Sequence, residues 1–554
     1  MRMKNMFRIK AGIALLILLP LGFSQSRQLP RRSAGAAPRP PFLEQAKIFE
    51  ETPLASRVVL KNGMTVLVEE ARSSPVVSVQ AYVRAGSLQE PAARTGVARL
   101  LARMICRREA ERKKGSLQQQ AYALGGELNS RVDYENSVYE IVAPAGQWKQ
   151  AMRLQSDSLL RPPLDAEYQA PGMRLLAREA KDFLDDADAA SREKVLEMAF
   201  DDRRMELYGE MAERAPGAPG IEALAAFHKA HYVPSAMTLV VSGDVRSGEV
   251  FNEAARLYGN LSGTAPAEAP APNESRKGFR YRLVRGNAPL PQVTFGFRGT
   301  TENSGDFRAL EVLCAVLGLG ERSTLKWRLR DQDRVVWDAG SGLLRNRRFG
   351  YLFLRVDADP DQIDRSEIAV LTEIELLKRR GPGAAEVARA IAQLEAEHWK
   401  NRETASGRAA MLAHNASIGD WRRGERYVAE IRGVKPADVQ RAARRYLGLD
   451  ACTLLEYLPE AAGPRNTTPE GVLQTIEGLL KVSADQVQEK RERETVPFLK
   501  IPADGGSFKQ SEIQYPFQLA SILRGPEMAI REDHTAPLVC LGIYFAGGKS
   551  REDG

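Results

Sequence analysis

The chain has 554 residues, of which 43% are hydrophobic and 27% are charged. These proportions are typical of globular proteins and exclude a collagen-like chain, a disordered tail protein and a polytopic membrane protein. The formal net charge is +8, but residues 1–43 carry eight basic side chains and no acidic one. The remainder of the chain is therefore neutral overall, and its charge indicates no nucleic-acid partner.

The first predicted element is an export signal. Four basic residues precede a 13-residue apolar run at residues 11–23, which is too short to span a bilayer and has the length of a signal-peptide core. We expect a signal peptide at residues 1–26 and a Pro- and Arg-rich linker at 27–52. The chain would be periplasmic or extracellular, with no membrane contact beyond this signal; an uncleaved anchor is the alternative.

A first folded domain is predicted from residue 53 to residue 263. Its strands are indicated by alternating apolar residues, and its helices by apolar residues at helical spacing. The predicted strands lie at 57–60, 64–69, 76–83, 134–143 and 237–245. The predicted helices lie at 92–108, 147–160 and 173–185.

A second α+β domain is predicted from residue 279 to residue 460, after a Pro- and Ala-rich linker at 264–278. Its predicted strands lie at 279–284, 293–298, 350–357 and 452–458. Its predicted helices lie at 309–318, 368–380 and 384–403. Residues 461–513 are polar apart from one amphipathic stretch, so we expect them to connect domains.

The end of the chain repeats part of its beginning. Residues 75–90 read PVVSVQAYVRAGSLQE and residues 537–552 read PLVCLGIYFAGGKSRE, at a constant offset. Such repeats are typical of duplicated supersecondary units. We therefore expect residues 514–554 to begin a third, truncated copy of the domain.

Several segments resemble the insulinase/pitrilysin family, in the form found in mitochondrial processing peptidases. They include LKNGMTVLVEE, GGELNSRVDYENSVYEI and AAFHKAHYVPSAMTLVVSGDV, in that order, and the resemblance extends from about residue 53 to residue 460. It implies an α+β fold of tandem homologous insulinase-type domains, each a mixed or antiparallel sheet with helices on one face. It also implies an unfolded peptide as substrate.

The resemblance places a zinc motif on the predicted helix at 92–108. In the family, the two histidines of H-x-x-E-H bind zinc, the glutamate activates water, and a later glutamate is the third ligand. The corresponding positions here are Arg99, Ala102 and Arg103, and only Glu179 matches, as the third ligand. Because guanidinium has no lone pair to donate and alanine cannot accept a proton, we expect no catalytic residue, no metal and no other cofactor.

Three arrangements could replace the metal. Glu179 could pair with one or both arginines and fill the former site with an ion-pair cluster. The two arginines could instead be solvated on an exposed helix face. A bound anion or a peptide C-terminus is the third alternative.

The resemblance also implies three substrate-binding positions. Arg330 matches a family arginine that holds the substrate backbone, but the tyrosine expected seven residues later is Trp337, which lacks the hydroxyl. The alternative for this pair is a buried aromatic beside a surface arginine. Asn129, after a Gly-Gly pair, matches the edge strand that binds substrate by strand addition, although a tight turn alone would explain the glycines.

Other polar motifs favour structural roles. His228 and His231 form an H-x-x-H pair, which the resemblance assigns to packing or to the surface rather than to a metal. The four cysteines are far apart in the sequence and include no C-x-x-C motif, so we expect buried free thiols rather than disulfides or a zinc finger.

The sequence thus predicts a pseudopeptidase of the insulinase family. It would be the zinc-less half or subunit of an exported peptide-degrading or peptide-processing peptidase, contributing substrate grip and an interface for a zinc-bearing partner subunit. A peptide-binding scaffold without any peptidase role is one alternative. An active zinc metalloendopeptidase is the other, and it rests on fold analogy.

Overall fold

The described part of the chain covers two domains and a C-terminal strand group. The computed structural model describes residues 40–91, 95–106, 116–200, 202–208, 219–272, 278–465, 467–493, 508–510, 518–522, 527–530, 537 and 539–542. The predicted signal peptide lies outside these residues. None of the helices described is long and apolar enough to cross a membrane.

The first domain is built on a seven-stranded sheet in the order β1-β2-β3-β7-β4-β6-β5. All neighbouring strands are antiparallel except β3 and β7. The strands are β1 Ala46–Glu51, β2 Ser56–Leu60, β3 Thr65–Glu70, β4 Val76–Val83, β5 Glu127–Val132, β6 Ser137–Pro144 and β7 Met237–Gly243. The helices are α1 Phe42–Gln45, α2 Val97–Cys106, α3 Leu117–Ala123, α4 Trp148–Leu160, α5 Ala166–Leu184, α6 Ala187–Ala199, α7 Ile221–His231 and α8 Ser247–Tyr258.

Burial in this sheet follows strand position. The central strands β4 and β7 are buried along almost their whole length, whereas β5 alternates between exposed and partly buried residues. This alternation is expected of an edge strand with one partner. Strand β5 packs against helix α2, so the edge of the sheet and the helix of the degenerate zinc motif meet.

The second domain repeats the plan on a five-stranded sheet in the order β10-β11-β9-β12-β8. Only β12 and β8 are parallel. The strands are β8 Arg280–Gly286, β9 Gln292–Arg298, β10 Asp338–Arg345, β11 Gly350–Asp357 and β12 Cys452–Pro459. The helices are α9 Phe307–Gly318, α10 Ile363–Arg380, α11 Ala384–Asn401, α12 Ala405–Ser417, α13 Arg423–Arg432, α14 Pro436–Tyr446 and α15 Pro469–Arg493.

Each domain covers part of the other domain's sheet with one helix. Helix α12 of the second domain packs on β4 and β7 of the first, and helix α6 of the first packs on β9 and β12 of the second. Leu412 and Val240 belong to one of these interfaces, and Leu196 and Leu455 to the other. These exchanged helices bury apolar surface from both domains, which holds the two domains together.

Two expected linkers contain folded structure. Strand β1 lies in the predicted linker 27–52 and pairs with β2, so the first sheet begins before residue 53. The predicted connector 461–513 contains α15, whose Val472 and Ile476 are buried in the second domain's core. Its amphipathic face therefore completes that core, which the polar composition of the segment did not indicate.

The C-terminal segment forms separate strands where it is described. Strands β13 Phe508–Gln510, β14 Gln518–Ile522 and β15 Glu527–Ile530 pair with one another in an antiparallel sheet. Of the repeated stretch at 537–552, only residues 537 and 539–542 are described. The expected third copy therefore lies largely outside the described residues.

Candidate functional site

Helix α2 carries the degenerate motif and is buried around most of its circumference. Its exposed fraction is 7% at Arg99 and 1% at Ala102. Glu90 caps its N-terminus, since one carboxylate oxygen accepts from the Gly96 amide at 2.6 Å and the other from the Ala98 amide at 2.7 Å. Burial raises the pKa of Glu90 to about 7, although these two amides and Arg99 lower it.

Arg103 forms an ion pair at the former metal site. Its Nε donates to Glu179 Oε2 at 2.8 Å, and both side chains are about three quarters buried. A second nitrogen of the guanidinium donates to the Ser130 hydroxyl at 2.6 Å and to the Ser130 carbonyl at 3.3 Å. This is the ion pair that the sequence suggested as one replacement for the metal.

Arg99 does not share that pair. It donates to the Val132 carbonyl at 2.9 Å, and its guanidinium carbon lies 4.0 Å from the centre of the Tyr208 ring. This distance is typical of a cation–π contact. The alternative of two solvated arginines on an exposed face is therefore wrong, since Arg99 is enclosed between a strand and an aromatic ring and Arg103 is largely buried.

The two acceptor carbonyls lie on the same side of the edge strand. Ser130 and Val132 are two residues apart on β5, and alternate residues of an antiparallel strand direct their amide and carbonyl to the same side. The Asp133 amide bonds to the Asn136 carbonyl at the hairpin turn, which makes Val132 and Ser130 non-hydrogen-bonded positions of the β5–β6 ladder. Their carbonyls therefore point out of the sheet, and the two arginines satisfy them.

The residues of this site do not fit a zinc ion. Glu179 is the one carboxylate at the former ligand positions, and its oxygen is already paired with a guanidinium. Two permanent cations beside it would repel Zn²⁺, and neither has a lone pair to donate. Across the described residues no group of three or more His, Cys, Asp or Glu could hold a metal. Arg99 and Arg103 thus offer no ligand for a Lewis-acid metal, and the Ala102 side chain has no group that can accept a proton.

Asn129 lies where the sequence placed it, exposed on the edge strand and opposite Glu140 of β6. Gly125, in the turn before the strand, has a φ of +73°, which favours glycine. A Cβ on Gly126 would lie 2.6 Å from the Val142 carbonyl. The glycine pair is thus explained by the turn and by the close approach of β6.

Arg330 and Trp337 lie in the second domain, and no hydrogen bond or ion pair joins them to the first site within the described residues. Arg330 is in a π-helical segment, Lys326–Gln332, and pairs with Glu321 and Asp331, each at 2.8 Å. Trp337 is 61% exposed and donates from Nε1 to Asp359 at 3.0 Å. The alternative of a buried aromatic at this position is therefore wrong.

The remaining polar motifs have structural roles. His228 bonds through Nε2 to the Leu159 carbonyl at 2.8 Å, and burial lowers the pKa of both His228 and His231. All four cysteines are free thiols. Cys314 and Cys452 are buried as expected, whereas Cys540 is exposed.

The sequence analysis did not identify two residues that contact the site, Glu90 and Tyr208. Glu90 is not one of the residue types that usually cap a helix N-terminus, and it lies well before the start of α2 at Val97, so no local pattern indicated its role. Tyr208 comes from a short segment beyond α6, and its contact with Arg99 depends on tertiary folding alone. No local pattern indicates that contact.

Residues 65–208 match the family described as Insulinase (Peptidase family M16), and residues 220–394 match the Peptidase M16 inactive domain. A probable mitochondrial-processing peptidase subunit beta of Arabidopsis thaliana is 25% identical over 289 residues, 51% of this chain and 54% of that protein. The chain therefore spans about half the length of that relative. A zinc protease of Helicobacter pylori is 21% identical over 403 residues, 71% of this chain and 90% of that protein.

A solved structure of similar fold is that of a protease from Helicobacter pylori. It superposes with a TM-score of 0.67 at 20% identity and covers 74% of this chain and 100% of that chain. At this identity the likeness establishes a shared fold.

Proposed function

Because the chain belongs to the insulinase (peptidase M16) family, we propose that it is a non-catalytic member that acts as the zinc-less half of a peptide-degrading or peptide-processing peptidase. The observation that carries the proposal is the filled metal site. Arg103 pairs with Glu179 at 2.8 Å, and Ala102 occupies the position of the general base. The family activity needs a metal ion and a proton acceptor there, and these side chains supply neither.

The role of the first domain follows from its closed edge. A peptide joins a sheet by hydrogen-bonding to the free amides and carbonyls of an edge strand. The outward carbonyls of Ser130 and Val132 already accept from Arg103 and Arg99. Asn129 remains a candidate for side-chain contact with a substrate, but we propose that this domain is mainly a wall and a partner interface.

The second domain supplies the remaining candidates for substrate binding. Arg330 and the exposed Trp337 are both accessible to solvent, and the tryptophan offers an aromatic face on which a peptide could pack. Arg330 would have to exchange Glu321, which is highly exposed, for a substrate group. Binding through this pair is therefore compatible with the geometry.

A zinc-bearing partner is the next part of the proposal. The Arabidopsis relative is named as a subunit, which supports a protein that works in a complex. Export through the predicted signal peptide would place the complex in the periplasm or outside the cell. A peptide-binding scaffold without a peptidase partner is the second candidate, and the same filled metal site favours it equally.

Affinity purification from the exporting cell separates the two candidates. The tagged chain alone should not cleave a quenched fluorescent peptide, with or without added Zn²⁺. Copurification of a second insulinase-type chain with an intact H-x-x-E-H motif, and cleavage by the pair, would support the proposed half-peptidase. A monomer that binds peptide without any partner would favour the scaffold, and cleavage by the isolated chain would overturn both.

A further inference from the structure

A cavity of about 510 Å³ lies in the second domain, far along the chain from the degenerate zinc motif. It is bordered by helices α9, α11, α12 and α13 and by strand β10, and Arg131 of the first domain reaches its rim. This volume is in the usual range for sites that bind small molecules. Its lining combines charged, aromatic and aliphatic side chains, which indicates an amphipathic occupant.

Part of the charge in the lining is neutralised internally. The Glu311 carboxylate accepts from Arg308 at 2.9 Å, from Arg345 at 3.0 Å and from Tyr427 at 3.3 Å. Glu302 is bonded to His414 at 2.7 Å. These groups form the wall of the cavity. Because they are already paired with one another, they are not the groups that would bind a ligand.

Helix α11 contributes groups that are not paired. Glu397 makes no hydrogen bond or ion pair with the described residues; burial raises its pKa, although the charges of Lys400 and Arg345 lower it. His398 is 7% exposed, stacks on the Tyr427 ring at 4.7 Å and has a pKa lowered to about 4 by burial, so it is a neutral imidazole. A carboxylate and an imidazole nitrogen beside each other are suitable acceptors for an ammonium group.

Two arginines that line the same cavity have neutral hydrogen-bond acceptors. Arg423 donates to the Asn303 side chain and to the Glu302 backbone carbonyl, both of which are neutral acceptors. Arg131 donates to the Tyr82 hydroxyl at 2.6 Å. Neither guanidinium has a carboxylate hydrogen-bond partner among the described residues. Arg423 precedes Tyr427 by about one helical turn, or about 6 Å along α13, so Arg423 lies on the same helix face as the ring that stacks on His398.

We propose that this cavity binds a small zwitterion of amino-acid or dipeptide size, with its ammonium group at Glu397 and its carboxylate at Arg423. The aliphatic side chains of Leu343 and Met411 would contact its apolar part. Such a ligand pairs the unmatched carboxylate and the unmatched guanidinium at once, which neither a simple anion nor a simple cation can do.

The test is isothermal titration of the full chain with the dipeptide alanyl-leucine, its N-acetyl derivative and its C-terminal amide. We expect measurable binding of the free dipeptide at concentrations up to about 10 mM. Binding should weaken at least tenfold for both derivatives and for the variant Glu397→Gln. Because Glu397 makes no contact that folding needs, this variant should keep the wild-type melting temperature. Glu403→Gln, at an exposed glutamate just beyond α11, is the matched control and should bind normally.

Two results would overturn the proposal. One is the absence of binding by wild-type protein over this concentration range. The other is binding that Glu397→Gln and N-acetylation leave unchanged, which would indicate an anion site at the arginines alone. The variant Arg423→Gln should weaken binding of the free dipeptide and have little effect on binding of its C-terminal amide. Equal weakening of both would also contradict the placement of the ligand carboxylate at Arg423.

Discussion

The Arg103 guanidinium donates from Nε to the Glu179 carboxylate at 2.8 Å, so the side chain that replaces a metal-binding histidine is held by the residue at the third-ligand position. The pair is about three quarters buried and is supported by the Ser130 hydroxyl. The site has thus kept one ligand position and uses it for a different purpose. It has become part of the packing between α2, α5 and β5.

Loss of this pair should destabilise the fold. The variant Glu179→Gln leaves Arg103 without its carboxylate in a largely buried place, and we expect the free energy of unfolding to fall by about 1–3 kcal/mol. Urea unfolding measures this difference. Asp182→Asn on the same helix is the control, since Asp182 is exposed and makes no ion pair with the described residues. Equal stability of Glu179→Gln and wild type would show that the pair contributes nothing.

The closed edge of β5 should open when its side-chain caps are removed. In the double variant Arg103→Ala, Glu179→Ala the Ser130 carbonyl loses its partner, and removing both members of the pair avoids an unpaired charge. We expect this variant to bind a labelled extended peptide at least tenfold more tightly than wild type, a gain of about 1.4 kcal/mol in binding free energy. Fluorescence anisotropy measures the difference.

Adding Ser130→Pro should abolish that gain. Proline removes an amide that points away from the ladder, where an edge strand tolerates it, and it blocks strand addition. If the double variant binds the peptide no more tightly than wild type, Arg103 does not control access to this edge.

The pair between Glu302 and His414 should make stability depend on pH in the acid range. Burial disfavours the ionised form of Glu302, but the hydrogen bond and charge of His414, with Arg345 and Arg423, outweigh it and lower the pKa from 4.5 to about 2. The unfolded chain therefore binds the proton more readily between pH 4.5 and pH 2. The contribution of Glu302 to the free energy of unfolding is therefore fully present above pH 4.5 and is lost as the pH falls from 4.5 to 2.

This contribution amounts to about 3 kcal/mol at most. Urea unfolding at pH 7 and at pH 3 should show a smaller loss of stability for Glu302→Gln than for wild type, with the variant already less stable at pH 7. Parallel pH profiles for the two proteins would contradict the assignment. Glu403→Gln again serves as the control, with the same charge change at an exposed site.

Arg465 should prove essential to the second domain. Its guanidinium donates to the Glu456 carboxylate at 2.9 Å, and Glu456 is completely buried on the central part of β12. The variant Arg465→Leu leaves the buried carboxylate with the Tyr281 hydroxyl as a donor but without its cation, and we expect the free energy of unfolding to fall by about 3–5 kcal/mol. A chain ending at residue 460 should be unstable for the same reason. Cooperative unfolding of that truncated chain at wild-type denaturant concentration would refute this view of residues 461–493.

Much of the fold could be predicted because apolar periodicity is strong in its central elements. The strands predicted at 76–83, 293–298 and 350–357 were confirmed, as was the helix pattern of α2. Apolar periodicity did not predict strands β5 and β10, because an edge strand is partly exposed and contains glycine or charged residues; the edge strand at Asn129 was implied by the family resemblance alone. The cross-domain role of α6 and α12 also escaped prediction, since tertiary packing determines which sheet a helix covers.

For the degenerate site, the sequence predicted the chemistry of the side chains better than it predicted their contacts. Residue types alone argue against a zinc site at Arg99 and Arg103, because guanidinium has no lone pair to donate. They do not specify that Glu179 pairs with one arginine only. The two arginines have different partners because Tyr208, which is distant in sequence, occupies the space beside Arg99.

The zinc content of the purified protein tests the central claim most directly. The full chain would be purified by gel filtration in a zinc-containing buffer, exchanged into a metal-free buffer and measured by elemental analysis. The filled site predicts less than about a tenth of an equivalent of zinc, because guanidinium groups cannot act as ligands. One full equivalent of zinc, lost in the variant Glu179→Ala, would show that the site still binds metal and would contradict the proposal of a non-catalytic peptidase half.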